Sequence, residues 1–179
     1  MSAANHYLPH YTVDDYRGWE GDWELWNGIP ISMSPSPFGK HQMVLVNLVA
    51  ELRTALRTVH CDATVLCEID WILSPNTILR PDALVVCGEP PERHVETTPA
   101  VVAEVLSPST AERDRTYKKR LYEQAGVGIY LILDPTNQSI QAFRQTNNGF
   151  QDEDTSGGLS MTVCGQCEIH IKPRSLFSR

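Results

Sequence analysis

At 179 residues, 41% of them hydrophobic, the chain is long enough to bury one substantial core without disulfides or a structural metal, which predicts a single domain over residues 1–179. No window of about twenty apolar residues occurs, and residues 1–6 lack the basic-then-apolar pattern of a leader, so a cytoplasmic location is expected. The formal net charge of −7 works against a protein that grips nucleic acid by its global charge, because phosphate contacts supply most non-specific affinity.

Residues 12–19 read as a short helix, with Thr12 as N-cap and Asp14 and Asp15 in the first turn. Residues 23–33 read as a hairpin about Asn27-Gly28, a strong turn signal, and Ser34-Pro35-Ser36-Pro37 reads as a loop. From about 40 to 59 apolar residues recur at Val44, Leu48, Leu52, Ala55 and Val59, with Leu45, Val49 and Leu56 beside them. That wide stripe at helical spacing predicts a long core helix. Alternation over Val65, Cys67, Ile69 and Trp71 predicts a strand with Glu68 and Asp70 on its other face.

The next segments carry charge where burial is expected. Asp82 opens the apolar run Ala83-Leu84-Val85-Val86, and Pro81 suits the first position of a strand, where a missing N–H costs least. Glu104 lies inside residues 101–106, a run otherwise free of charge. A carboxylate in such a strand needs a cation or a hydrogen-bonding partner, since desolvating it alone costs at least several kcal/mol. A divalent ion meets that need, and magnesium or manganese takes one or two carboxylates together with substrate phosphate. A helix over about 110–125 follows directly, with Asp114, Lys118 and Tyr122 spaced four apart on one face. Arg113, Arg115, Lys118, Lys119 and Arg120 form a local basic cluster that offsets the global sign. Glu68 is expected to be exposed, though it would approach the same place if its strand pairs with the one begun by Asp82.

Gly126 and Gly128 end that helix before a buried strand at 129–133. Residues 139–144, Phe150, 159–163 and 168–171 read as short strands of a β-meander, joined by Asn147-Asn148-Gly149 and Gly157-Gly158 turns. The expected fold class is α/β, a mixed central sheet flanked by helices with added C-terminal strands. Five scattered cysteines fit reduced thiols better than a disulfide framework. Cys164-Gly165-Gln166-Cys167, with His170 as a third donor, invites a zinc or redox reading. Two cysteines do not fill a tetrahedral site, however, and Gly-Gln reads as a hairpin turn.

The segments Arg80-Pro81-Asp82-Ala83-Leu84-Val85-Val86, Glu104-Val105-Leu106-Ser107-Pro108-Ser109-Thr110 and the run from Arg113 to Val127 resemble the Uma-two family of restriction-endonuclease-like proteins, a branch of the PD-(D/E)XK nuclease superfamily. Trp23-Glu24-Leu25-Trp26-Asn27-Gly28 and the stretch from Ser34 to His41 resemble that family's opening strand and the histidine at its first long helix. The resemblance implies a restriction-endonuclease-like core and a magnesium- or manganese-dependent endonuclease acting on DNA. Asp82 and Glu104 would be its metal ligands and Lys118 its catalytic lysine, with Lys119 as the other candidate. Glu24 and His41 would be supporting residues. The position two past the acid, where the superfamily usually carries its lysine, is Leu106 here, so the resemblance implies a lysine that has migrated to the following helix. A double-strand cut by one small site implies a homodimer or two successive nicks. The alternative is an inactive nuclease fold that binds nucleic acid or a protein partner.

Overall fold

The computed structural model describes residues 9–33 and 38–178. Thr12 caps α1 (Val13–Tyr16) in a reciprocal capping box with Asp15, and β1 (Trp23–Trp26) and β2 (Ile29–Ser32) form the expected hairpin. Asn27 and Gly28 turn it with φ of 48° and 82°, the left-handed pair that a two-residue hairpin needs. The Ser34–Pro37 loop lies outside the described residues. The apolar stripe becomes α2 (Gly39–Thr58), which buries Val44, Leu45, Leu48, Leu52 and Leu56.

A six-stranded mixed sheet forms the centre. It comprises β3 (Ala63–Cys67), β6 (Ala83–Cys87), β7 (Val101–Val105), β8 (Ile129–Asp134), β9 (Ser139–Thr146) and β10 (Gly149–Glu153), in the order β10-β9-β8-β7-β6-β3. β7 and β8 run parallel, and the other neighbours antiparallel. The parallel pair needs a crossover, which the helical segment between them supplies. That segment is α3 (Ala111–Arg113), a π-helical turn (Asp114–Lys118) and α4 (Lys119–Gln124).

Strand alternation sorts the core into two sides. Val85, Ala103 and Leu131 face α2, while Leu84, Val102 and Ile132 face Leu121 and Tyr122 of the crossover. Every residue of β7 is buried, Glu104 included, because both faces of the sheet are covered. A second sheet adds β4 (Trp71–Ser74) and β5 (Thr77–Leu79) to the first hairpin, in the order β2-β1-β5-β4, and Trp71 and Leu79 join the crossover side of the core.

Three expectations are corrected. The strand read through residues 65–71 is two strands in different sheets. The chain turns at Glu68, which has φ 50°, so the alternation of Val65 and Trp71 reports two separate cores rather than one face. The C-terminal strands are not a meander. β9 and β10 extend the main sheet, whereas β11 (Leu159–Val163) and β12 (Cys167–Ile171) form a separate hairpin packed on the α2 side, followed by α5 (Pro173–Leu176).

The thiols, finally, are not all free. Cys61 is bonded to Cys167 and Cys87 to Cys164, across 106 and 77 residues, which leaves Cys67 as the free and exposed thiol. Sequence spacing concealed both pairings because they form only once the second hairpin folds back over the ends of β3 and β6. No helix among the described residues is long and apolar enough to cross a membrane.

Candidate active site

Asp82 immediately precedes β6, and the Ala83–Ala103 register continues so that Asp82 stands opposite Glu104 on the side of the sheet facing the crossover. The Asp82 carboxylate is fixed from two directions. Its Oδ2 accepts the Val105 N–H at 2.6 Å and lies 3.2 Å from His41 Nε2 on the first turn of α2. Its side chain is one-fifth exposed (20%), which makes it the most open carboxylate of the group. Arg80 is not its partner: that guanidinium donates to Asp70 and Asp22 at 2.7 and 2.8 Å and ties the second sheet together.

Glu104 is buried, and its Oε1 accepts the Lys118 ammonium at 2.9 Å and the Tyr122 hydroxyl at 2.5 Å. The π-helical turn and α4 deliver both donors from one continuous element. Lys118 also lies 2.9 Å from Glu24 Oε1 on β1, so it bridges acids from both sheets. Glu24 in turn accepts the Arg80 N–H at 2.7 Å and the Trp26 indole N–H at 3.1 Å. Lys119 points elsewhere, its ammonium 3.5 Å from the centre of the Phe143 ring.

Burial pushes the Glu104 carboxyl well above the ordinary glutamate range. Lys118 opposes that shift, while the charges of Asp114, Asp82 and Glu24 reinforce it. Burial works against the Lys118 ammonium, but Glu104, Glu24 and Asp114 outweigh it and hold the lysine above its ordinary value, so it is cationic at neutral pH. Burial also raises the Asp114 carboxyl, and its Oδ1 is enclosed without a hydrogen-bond partner. The spacing of Asp114 and Lys118 suggests a surface ion pair, yet both are buried and Lys118 bonds to Glu104 and Glu24 instead.

The structure therefore brings together all five residues picked out in the sequence, Glu24, His41, Asp82, Glu104 and Lys118, and adds Tyr122 and Asp114. Glu68 is exposed; its backbone N–H donates to the Asp82 carbonyl at 3.2 Å, and its charge acts on His41. The signal that would have found Asp114 is the same as for Lys118: a charge on the apolar face of the crossover helix, in line with Tyr122.

Glu24, Glu104 and Asp114 act on one ammonium and Asp82 acts on Glu104, and that excess of carboxylates over cations suits a divalent ion. Among the described residues no group of three or more His, Cys, Asp and Glu side chains is arranged to hold a metal. An ion here would thus draw on two carboxylates and complete its shell with water and phosphate, which is a usual arrangement for magnesium. A separate cleft of about 280 Å³, lined by Tyr16, Trp19, Trp23, Asp70, Arg80 and others, lies on the second sheet and contains none of Asp82, Glu104 or Lys118.

A mixed sheet that sets an aspartate and a glutamate on adjacent strands, with a lysine supplied by the crossover helix, defines a restriction-endonuclease-like nuclease fold. Comparison with known proteins agrees: the Uma2 family, described as "Putative restriction endonuclease", matches residues 13–165. The chain belongs to that family. It is also similar in fold to the crystal structure of "a putative nuclease belonging to DUF820" from Anabaena variabilis. The TM-score is 0.73 at 20% identity, covering 93% of this chain and 97% of that one. None of the curated proteins matches the chain.

Proposed function

We propose that the protein is a metal-dependent endonuclease that hydrolyses phosphodiester bonds in DNA, with magnesium or manganese held by Asp82 and Glu104. The observation that carries this reading is the Asp82–Glu104–Lys118 constellation, assembled from the start of β6, from β7 and from the crossover helix. When bound, the ion supplies Lewis-acid polarisation of the phosphate and lowers the pKa of a coordinated water.

The chain's own residues do the rest. Asp82 is held in one orientation by the Val105 N–H and His41, and Glu104 by Tyr122, so neither carboxylate has to reorganise on binding the substrate complex. Lys118, cationic and shared between two acids, donates to the attacking water or to a phosphoryl oxygen as charge develops; it does not act as a base. Glu24 keeps the ammonium aimed at that position from the opposite side. The exposed edge at Asp82 is where a phosphate would enter.

The test is cleavage of supercoiled plasmid and of single-stranded DNA with magnesium or manganese, beside Asp82→Ala. Cleavage that needs the ion and is lost in the variant is the expected result. Metal-independent DNA binding with no turnover would overturn the catalytic reading in favour of a nucleic-acid-binding module.

A further inference from the structure

Away from the carboxylates, four cysteines meet at one corner of the sheet. Cys164 and Cys167 flank the β11–β12 turn, where Val163 pairs with Cys167, so their backbones are adjacent. Cys87 ends β6 opposite Ala63, and Cys61 lies two residues before Ala63, joined to it by an N–H bond of 3.0 Å. The bridges Cys61–Cys167 and Cys87–Cys164 span Cα distances of 5.7 and 5.6 Å and both end on the β11–β12 turn. A disulfide sulfur is no metal donor, so the oxidised protein has no metal-holding group here among the described residues, but reduction would free four thiols on these adjacent segments.

We infer that, once reduced, Cys61, Cys87, Cys164 and Cys167 form a tetrahedral zinc site that takes over the clamping of the β11–β12 hairpin to the main sheet. Cys-x-x-Cys on a hairpin turn is one half of the usual four-cysteine donor set, and Cys61 and Cys87 supply the half that the sequence spacing did not reveal. Zn–S bonds of about 2.3 Å require neighbouring sulfurs about 3.8 Å apart, so the two sulfurs of each bridge must separate once reduced. The surroundings suit a structural ion, since Cys167 is buried and Cys61 and Cys164 pack against the α2-side core, while Cys87 is exposed and gives the ion a way in. His170 is not a ligand: it lies on the exposed side of β12, with Nδ1 3.1 Å from Ser160 Oγ.

The conversion is balanced by a thiol reductant. Each protein disulfide takes two electrons and two protons from a dithiol, which is itself oxidised to a disulfide. Zinc then displaces the four cysteine protons.

The experiment uses the full chain, reduced with a phosphine, stripped with chelator, given zinc and gel-filtered. Expected are about one zinc per chain after reduction and none in the oxidised protein. Ellman's reagent should reach only Cys67 quickly in the zinc form, and all five thiols after chelation. Cobalt in place of zinc should give the sulfur-to-metal charge-transfer band of a thiolate site, diminished in Cys61→Ser and Cys164→Ser, while Cys67→Ser leaves it unchanged. Four further thiols reacting quickly with zinc present would overturn the inference without any variant being needed. So would cobalt bound without a sulfur band, which would put the ion on the carboxylates instead.

Discussion

Lys118→Met removes the one ammonium shared by Glu24 and Glu104. Lys118 is 4% exposed and stands 2.9 Å from each acid, and Glu24 and Glu104 are 1% and 3% exposed, so water cannot replace the lost charge. Deleting one partner of a buried ion pair costs about 3–5 kcal/mol, most of it from the charge left behind. For a domain of this size each kcal/mol lowers Tm by about 2–4 °C, giving a loss of about 6–20 °C. The penalty depends on pH with a definite sign. Glu104 already titrates above its ordinary range, and without Lys118 it moves higher still. The folded variant therefore binds more protons than the unfolded chain between about pH 4.3 and the raised value, and its stability falls as pH rises through that window. Below the window the carboxyls are neutral in both states and the penalty shrinks. Thermal unfolding by circular dichroism at about pH 5 and pH 8, with chelator and then with magnesium, reads each of these effects. Magnesium at a hundred times its Kd should restore about 2.7 kcal/mol. A variant within about 2 °C of wild type at pH 8, with no response to pH, would refute the view that Lys118 neutralises a buried acid cluster.

Lys118→Met should lower turnover about a hundredfold or more while sparing metal binding, and Lys119→Met should leave turnover unchanged because its ammonium sits over Phe143; single-turnover cleavage separates the two. Glu104→Gln should abolish the calorimetric titration with magnesium yet keep the fold, since it removes a charge that burial and three neighbouring carboxylates already disfavour. Tyr122→Phe deletes the 2.5 Å bond that orients Glu104 and should weaken metal binding about 10–100-fold with little change in the circular dichroism spectrum. Reducing the oxidised protein under chelator should lower stability by several kcal/mol, as a bridge closing 106 residues is worth about 4–5 kcal/mol on the chain-entropy account; an unchanged denaturant midpoint would contradict the bridges.

Glu104 is legible because a charge inside an apolar strand is conspicuous whichever way the chain folds, Asp82 because it opens such a strand, and Lys118, set in a run of charges, through the family resemblance. Glu24 was harder to place. On a short strand beside an Asn-Gly turn it reads as solvated as readily as buried, and the groups that hold it, the Arg80 N–H and the Lys118 ammonium, arrive from far downstream. Asp114 shares a helical face with Lys118 in the sequence, but that spacing does not show that the lysine is captured by Glu24 and Glu104 from two other strands. The break at Glu68 left no mark on the alternation because apolar residues continue at odd positions on both sides of it, although Val65 and Trp71 enter different cores. The disulfide partners are invisible locally, since they depend on how a hairpin some hundred residues downstream packs.

The π-helical turn at Asp114–Lys118 acts as a phase corrector. In a regular α-helix each residue advances about 100°, so Asp114 and Tyr122, eight apart, would diverge by about 80°. One surplus residue in the wide turn makes the separation equivalent to seven, which returns them to within about 20° of one line. Asp114, Lys118 and Tyr122 can then all face Glu104 from a single rigid rod. Deleting Thr116 would leave a regular helix with Lys118 and Tyr122 still four apart, but it would shorten by one residue the link that carries both from β7 to Glu104. This stretch should thus tolerate substitution at its exposed positions far better than any change in its length.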